Sequence, residues 1–462
     1  MIRLRSLFHL AVLTTSPLLA AAATPLSVPD DAKARIVVMT DIGGDPDDEQ
    51  SLVRFLLYTC DFKVEGLCTG FGWGPHDQTR PHLIRKGIKA YSEVLPNLKK
   101  HREDYPSPEY LLSLVKDGHN GDAHTVGPDM NSQASDWIIE VVDRDDPRPV
   151  WFAMWGGPRE LAQAIWKVQT TRSPEQLAAF KKKIRVHSIA DQDKTALWVK
   201  EHHPDVFWIY SKRLYRGMYE GGDPSLVSLE WLERHIRGPL RRVYPSEAHK
   251  KVGVKEGDTP SFLYLLPNGL SDPEQPSQGN WGGRFVRSGR GEEYLPAADL
   301  VDGQRDLLAS IYRWRPAYQN SFQARLEWCD RPFEEANHGP VAHCNGDMSL
   351  GVLQIPVEPG GKIKLSAAGS SDPDGGCLTY RWWTYREAGT YWNGPDIAGA
   401  ADIDAVVTIP EDAAGRTIHI ILEVTDTGRP PLTAYRRVVL EVGGEPVSPP
   451  SGVEIPEKPA VQ

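Results

Sequence analysis

The sequence predicts an α/β protein with a mostly parallel sheet flanked by helices, followed by a C-terminal β-sandwich domain. Between residues 31 and 340, short apolar runs that suit buried strands alternate with runs of helical periodicity. This alternation is typical of βαβ units, whose helices cover both faces of a parallel sheet. Beyond residue 352, short alternating runs are separated by Gly, Asp and Pro. That pattern indicates a small sandwich.

The individual elements follow from these runs. The expected sheet strands are Ile36–Met39, Val64–Cys68, Val150–Met154, Ile184–Ser188 and Val206–Ile209. The helices expected between them are Glu49–Tyr58, His82–Tyr91, Ser132–Val142, Pro158–Thr170 and Thr195–Glu201. A second helical region is predicted at Asp258–Leu266 and Gln304–Trp314. The expected sandwich strands are Lys362–Leu365, Leu378–Trp383, Ala405–Ile409, Thr417–Thr425 and Ala434–Leu440.

The two ends of the chain differ in composition from the domains between them. Residues 1–23 combine two arginines, an apolar stretch and a run of alanines, which is the pattern of a cleaved signal peptide. The stretch is too short and interrupted to span a bilayer stably. We therefore expect a secreted or periplasmic protein with no membrane attachment after cleavage. Domains are expected at 24–340 and 341–444, and a disordered Pro-rich tail at 445–462.

Charge and cysteine content narrow the possible partners. The net charge of −10 becomes more negative when the signal peptide and its arginines are removed. An acidic chain argues against a basic surface for nucleic acid or anionic lipid.

The five cysteines show no zinc-binding pattern. Cys329 and Cys344 are the pair expected to form a disulfide, because they are close in a loop-rich part of an exported protein. Cys60, Cys68 and Cys377 are expected to be buried thiols.

Four carboxylates lie within eight residues at Asp41, Asp45, Asp47 and Asp48, between a predicted strand and a predicted helix. Such groups repel one another unless a cation or strong donors lie among them. Oxygen ligands of this kind favour Ca²⁺ or Mg²⁺. The loop leaves the carboxyl end of a strand, where open α/β sheets bind ligands. The alternative is a solvated acidic turn that caps the next helix.

The order of residues in Thr40–Asp48 resembles the nucleoside hydrolase signature, with two extra residues before the final Asp pair. More specifically, the chain is similar to a secreted cellulose-binding family that has a nucleoside hydrolase-like domain and a C-terminal immunoglobulin-like domain. Further phrases that carry the resemblance are Trp155–Ala162, Asp191–Asp193, Gly257–Phe262, Leu266–Leu270 and Trp281–Arg284.

The resemblance implies a calcium site and a base. The ligands would be the carboxylates of Asp41, Asp48 and Asp258 and the main-chain carbonyl of Gly156. Asp41 would also take a proton from the metal-bound water that attacks the anomeric carbon. The residues expected to bind substrate are Asp45, Asp47, Trp73, Asp191, Gln192, Asp193 and Asn268. Whether Asp45 or Asp47 contacts the sugar stays open.

Two departures from the nucleoside hydrolase pattern bear on the substrate. Gly257 stands where many of those enzymes carry a histidine that activates the leaving base. The segment Asp191–Asp193 replaces an Asn-rich sugar-binding segment. An O-glycoside therefore fits better than an ordinary nucleoside. His119 or His124 is a candidate for the missing acid, because histidine titrates near neutrality. The alternative is a polar surface loop.

Two functions follow from these observations. The first is a calcium-dependent glycoside hydrolase acting on an N- or O-glycosidic bond, with a plant or microbial cell-wall saccharide as substrate. The second is a non-catalytic protein that binds cellulose or another polysaccharide. In this protein, calcium would stabilise the pocket inherited from the nucleoside hydrolase-like domain, and aromatic side chains would hold the glycan. The sequence leaves the oligomeric state open.

Overall fold

A largely parallel sheet of eight strands forms the centre of the N-terminal domain. The computed structural model describes residues 28–72, 78–121, 124–248 and 251–445. The strands before the sandwich are β1 (Ala34–Thr40), β2 (Phe62–Thr69), β3 (Val115–Lys116), β4 (Val150–Met154), β5 (Ile184–Ser188), β6 (Phe207–Tyr210), β7 (Glu247–Ala248), β8 (Lys251–Val252), β9 (Phe285–Arg287), β10 (Glu293–Pro296), β11 (Asp299–Val301) and β12 (Gln304–Asp306). The sheet order is β3-β2-β1-β4-β5-β6-β10-β9, and β9 runs antiparallel to β10.

Helices cover both faces of this sheet. In chain order they are α1 (Pro46–Tyr58), α2 (Pro81–His101), α3 (Pro108–Ser113), α4 (Gln133–Asp143), α5 (Arg159–Thr171), α6 (Pro174–Lys182), α7 (Thr195–His202), α8 (Leu229–His235), α9 (Gly238–Arg241), α10 (Pro260–Leu263), α11 (Ala309–Tyr312) and α12 (Arg315–Glu327). Alternate residues of β1 enter different cores. Ile36 and Val38 pack with α1 and α2, whereas Val37 and Met39 pack with α4 and α5. Because both faces of this strand are buried, its sequence contains one continuous run of apolar residues.

The five predicted sheet strands and the five helices between them are confirmed, with α2 continuing beyond its predicted end to His101. The prediction of a second helical region was partly wrong. Gln304–Asp306 forms strand β12, because Asp302 and Gly303 both adopt positive φ and close a tight hairpin with β11. In the other predicted segment, helix α10 is limited to Pro260–Leu263.

The C-terminal part has two antiparallel-rich sheets, as predicted. The strands are β13 (Leu353–Val357), β14 (Lys362–Ser366), β15 (Leu378–Thr384), β16 (Asp396–Ala398), β17 (Asp404–Thr408), β18 (Thr417–Asp426) and β19 (Thr433–Val442). One sheet has the order β13-β19-β18-β15 and the other the order β14-β17-β16. Leu365, Trp382, Val407 and Ile420 lie in the core of this domain.

The sandwich packs tightly against the N-terminal domain. The Trp314 and Trp383 rings lie 5.9 Å apart, and the Tyr385 hydroxyl donates to the buried Asp299 carboxylate at 2.6 Å. Arg437 donates through Nη2 to the Gly279 carbonyl at 2.8 Å. Within the described residues, no helix has the length and apolar character needed to cross a membrane.

The predicted disulfide is wrong, because Cys329 and Cys344 are free thiols in separate cores. The Cys329 thiol lies 3.4 Å from the Arg325 carbonyl at the end of α12, against the core of the N-terminal domain. Cys344 is buried in the sandwich core. Cys60 and Cys68 are buried as expected, but Cys377 is exposed.

Candidate active site

Loops that follow β1, β2 and β4 are joined by backbone hydrogen bonds at the carboxyl edge of the sheet. Gly70 N donates to the Thr40 carbonyl at 2.8 Å, and Trp155 N donates to the Met39 carbonyl at 2.7 Å. Gly157 N donates to Phe71 O at 2.6 Å. This arrangement brings the acidic loop after β1 between its two neighbours, where parallel sheets bind ligands.

Two glycines allow these loops to close around Asp41. A Cβ atom at Gly156 would lie 2.9 Å from Asp41 Oδ1. A Cβ atom at Gly72 would overlap the same carboxylate and would lie 2.7 Å from Gln192 Oε1. Gln192 also donates through Nε2 to the Trp155 carbonyl. The structure therefore places Asp41, Gly156 and Gln192 together, and a side chain at either glycine would displace the Asp41 carboxylate.

Three further carboxylates meet beside Asp41. Asp47 and Asp48 lie in the first turn of α1, and Asp258 lies two residues before α10. Each of the three offers an oxygen, and these oxygens lie within 4.8 Å of one another. Oxygens that share a calcium ion at about 2.3–2.6 Å can be at most about 5 Å apart, so the three carboxylates satisfy this limit.

The environment of these oxygens also suits a cation. Asp258 is 1% exposed, and its Oδ2 atom is buried with no hydrogen-bond partner among the described residues. Asp48 accepts a hydrogen bond from Thr40 Oγ1, which fixes its orientation. A buried carboxylate oxygen without a donor is costly, whereas a hard cation would satisfy it.

Burial and mutual repulsion raise the pKa of every carboxyl in this group. Burial and the charge of Asp47 raise the pKa of Asp41 to about 7. Burial and the charge of Asp45 raise the pKa of Asp47 to about 7. The pKa values of Asp48 and Asp258 are raised well above the usual range by burial and by the neighbouring carboxylates. Without a cation, the four groups cannot all be ionised at neutral pH.

The outer side of the cluster carries a lysine and a tyrosine. Lys255 forms an ion pair with Asp45, and its charge lowers the pKa of Asp47. A Cβ atom at Gly257 would lie 3.0 Å from Asp47 Oδ2 and 3.1 Å from Cδ2 of Tyr215. The Tyr215 ring therefore borders the place where a residue-257 side chain would project. Sequence reasoning missed Tyr215 and Lys255, because neither belongs to a motif that marks a site.

Asp191 and Asp193 bind other parts of the protein. Asp191 pairs with Lys200 and accepts a hydrogen bond from Trp208 Nε1 at 3.1 Å. Asp193 accepts from Thr195 N at 2.7 Å and from Arg159 N at 3.1 Å. These bonds hold the starts of α5 and α7. Burial raises the pKa of Asp193 to about 6. Of the three adjacent residues, Gln192 is the one that the structure places beside Asp41.

Asn268 and His119 form hydrogen bonds outside the carboxylate cluster. Asn268 accepts from Leu270 N at 3.1 Å, and its carbonyl accepts from Tyr435 N of the sandwich. It lines an interdomain cavity of about 170 Å³. His119 N donates to Glu160 Oε1 at 3.1 Å. The substrate role of Asn268 and the acid role of His119 or His124 stay predictions. Trp73, the signal peptide and the tail from residue 446 lie outside the described residues.

Comparison with protein families identifies two matching regions. The family described as "Cellulose-binding Sde182, nucleoside hydrolase-like domain" matches residues 35–285. The family described as "Cellulose-binding protein Sde0182, C-terminal domain" matches residues 362–442. A search of curated proteins found no match.

Among solved structures, the chain is similar to a nucleoside hydrolase-related hypothetical protein from Saccharophagus degradans that is associated with carbohydrate metabolism. The identity is 38%, the match covers 89% of this chain and 100% of the other, and the TM-score is 0.78. The PKD domain from KIAA 1837 protein matches at 19% identity, over 21% of this chain and 87% of that chain, with a TM-score of 0.16. The effector protein XOO4466 matches at 9% identity, over 64% and 92%, with a TM-score of 0.32.

Proposed function

Because the chain belongs to the cellulose-binding family with a nucleoside hydrolase-like domain, we propose that it is a secreted calcium-dependent glycoside hydrolase. Its substrate would be a saccharide of plant or microbial cell walls, and its partners would include neither nucleic acid nor membrane. The observation that carries the proposal is the convergence of Asp47, Asp48 and Asp258, with Asp41 beside them. A solvated acidic turn would not need Asp258 from a distant loop, buried with an unpartnered oxygen.

The carboxylates divide between holding the ion and moving a proton. Asp48 and Asp258 would hold Ca²⁺, together with Asp47 or Asp41 and the Gly156 carbonyl. Bound Ca²⁺ would polarise and orient the attacking water. Asp41 would accept a proton from that water as its oxygen attacks the anomeric carbon. The remaining negative charge would stabilise the oxocarbenium-like transition state.

The leaving-group side would be served by Tyr215. Gly257 offers no side chain there, and the Tyr215 ring borders the space beside Asp47. As the glycosidic bond breaks, the phenol proton would pass to the departing oxygen and solvent would return a proton to Tyr215. An oxygen leaving group needs only this one donor, whereas a purine or pyrimidine base would find no histidine at residue 257.

The distribution of tryptophan favours catalysis over a purely binding function. A flat platform for crystalline cellulose needs exposed aromatic faces on which sugar rings can stack. Of the fourteen tryptophans, all except Trp73 lie in the described residues, and none of these is exposed. A cleft that takes one glycan chain agrees better with this distribution.

The decisive experiment is a hydrolysis screen of the purified mature protein in Ca²⁺, with nucleosides and cell-wall oligosaccharides as substrates. Asp41→Asn should lower the rate on any substrate found by about 10²–10⁴-fold, because the amide cannot accept the proton. Glycan binding should persist in this variant. Asp143→Asn, a partly exposed surface carboxylate paired with Arg172, is the matched control.

Two results would contradict the proposal. If the wild-type protein hydrolyses nothing and both proteins bind cellulose or another wall glycan equally, the non-catalytic binding function is correct. If Asp41→Asn cleaves the substrate at the wild-type rate, then Asp41 is not the base.

A further inference from the structure

A fully buried ion pair joins helix α1 to the loop that carries Asp258. Arg54 Nε contacts Glu256 Oε2, and both side chains have 0% exposure. Arg54 Nη2 donates to Gln319 Oε1 at 2.6 Å, and its guanidinium lies 3.9 Å from the ring centre of Phe322. Glu256 accepts a second hydrogen bond from the Tyr244 hydroxyl at 2.7 Å. Both charged groups are therefore held in fixed positions.

Two more residues of α1 bind the same loop. Gln50 Oε1 accepts from Lys255 N at 2.6 Å, and Gln50 Nε2 donates to the Gly253 carbonyl at 3.2 Å. Thr259 Oγ1 donates to Glu256 Oε2 at 3.0 Å and lies 3.1 Å from Ser51 Oγ. Residues 253–259 are thus attached to α1 on both sides of Asp258.

The attachment uses the same face of α1 that carries an acidic residue of the cluster. Asp47, Gln50, Ser51 and Arg54 have the spacing i, i+3, i+4 and i+7, so they form one stripe along the helix. The position of the loop along this stripe determines how far Asp258 lies from the carboxylates of the first turn.

A buried ion pair is a weak source of stability, because desolvation of both charges offsets their attraction. An apolar pair of similar volume often serves folding equally well. We infer that Arg54 and Glu256 are positioning residues for the cation site: they fix Asp258 against Asp47 and Asp48 at the spacing that Ca²⁺ requires. This inference rests on the proposed calcium site.

The test compares two double variants of the full mature chain by calorimetric titration with CaCl₂. Arg54→Met with Glu256→Met removes the positioning pair. Arg35→Met with Glu65→Met is the matched control, because Arg35 Nε and Glu65 Oε2 also form a buried ion pair, at 2.8 Å. Arg35 lies near the start of β1, whereas the carboxylate cluster lies beyond the end of that strand. We expect at least a tenfold loss of calcium affinity in the first variant and a change of less than twofold in the control. Circular dichroism without Ca²⁺ establishes that each variant is folded.

A milder variant decides the matter if a double variant does not fold. Thr259→Val removes only the hydroxyl that joins Ser51 and Glu256, and it should weaken calcium binding about threefold. If the Arg54→Met and Glu256→Met double variant is folded and binds calcium with unchanged affinity, the positioning role is wrong. If the double variant is unfolded, unchanged calcium affinity in Thr259→Val has the same consequence. Absence of calcium binding by the wild-type protein would instead reject the proposed metal site.

Discussion

Calcium binding should weaken strongly between pH 8 and pH 5. The pKa values of Asp41 and Asp47 are both raised to about 7, with burial as the largest cause. A carboxyl must lose its proton before it can bind a cation. At pH 5, removing one proton from a group with a pKa of about 7 costs about 2.7 kcal/mol, which corresponds to about a 100-fold loss of affinity. At pH 8 this cost vanishes.

The same groups determine how calcium changes stability. Without the ion, the raised folded-state pKa values mean that the folded protein holds more protons than the unfolded chain between about pH 4 and pH 7. The contribution of these groups to stability is therefore lost as pH rises through 7. Under the proposed function, excess Ca²⁺ would stabilise the folded state by mass action and should restore this loss. The rise in melting temperature on adding Ca²⁺ should grow with pH.

The assay is calorimetric titration with CaCl₂ at several pH values, in two buffers that differ in ionisation enthalpy, so that released protons are counted. Asp143→Asn, at the last residue of α4 and paired with Arg172, should behave as the wild-type protein does. A calcium affinity that stays constant from pH 5 to pH 8, or binding without proton release at pH 6, would refute the reasoning.

Three further outcomes are expected. Asp48→Asn should lower calcium affinity at least tenfold and shrink the calcium-induced rise in melting temperature measured by calorimetry, because one carboxylate ligand is lost. Tyr215→Phe should slow cleavage of substrates with alkoxide leaving groups about 10²-fold or more, and activated aryl glycosides much less, since the latter need no proton. Nucleosides should be released far more slowly than the best glycan, because Gly257 offers no group to the departing base; comparable rates in a product assay would contradict this.

The fold was predictable where hydrophobic periodicity is strong. Strand β1 and its neighbours are buried on both faces, so their apolar runs mark them almost to the residue. Helix α12 was missed because its apolar stripe is narrow: Tyr318, Phe322 and Leu326 recur every fourth residue within an otherwise polar segment. Periodicity of one residue per turn is too weak to identify a helix before its packing partners are known.

The prediction of the site was limited because the sequence does not give the direction in which each side chain points. The convergence of Asp48 with Asp258 followed from their places at loop ends. The segment Asp191–Asp193 could not be resolved in the same way, because its backbone turns through a positive φ at Ala190 and Asp191. That turn points the two acids at helix starts and at Lys200, and it leaves Gln192 beside Asp41. Sequence order alone does not say which of three adjacent polar side chains faces a pocket.

The sandwich contacts the segment that follows the loop carrying Asp258. Tyr435 N donates to the Asn268 carbonyl, and Arg437 donates to the carbonyls of Leu270 and Gly279. The first of these contacts, at Asn268, lies five residues after the end of α10. Helix α10 itself begins two residues after Asp258. One face of the sandwich sheet is consequently occupied by the N-terminal domain. Any glycan held by the sandwich must therefore bind a surface away from this interface, and the shared interface fixes that surface relative to the proposed catalytic cleft.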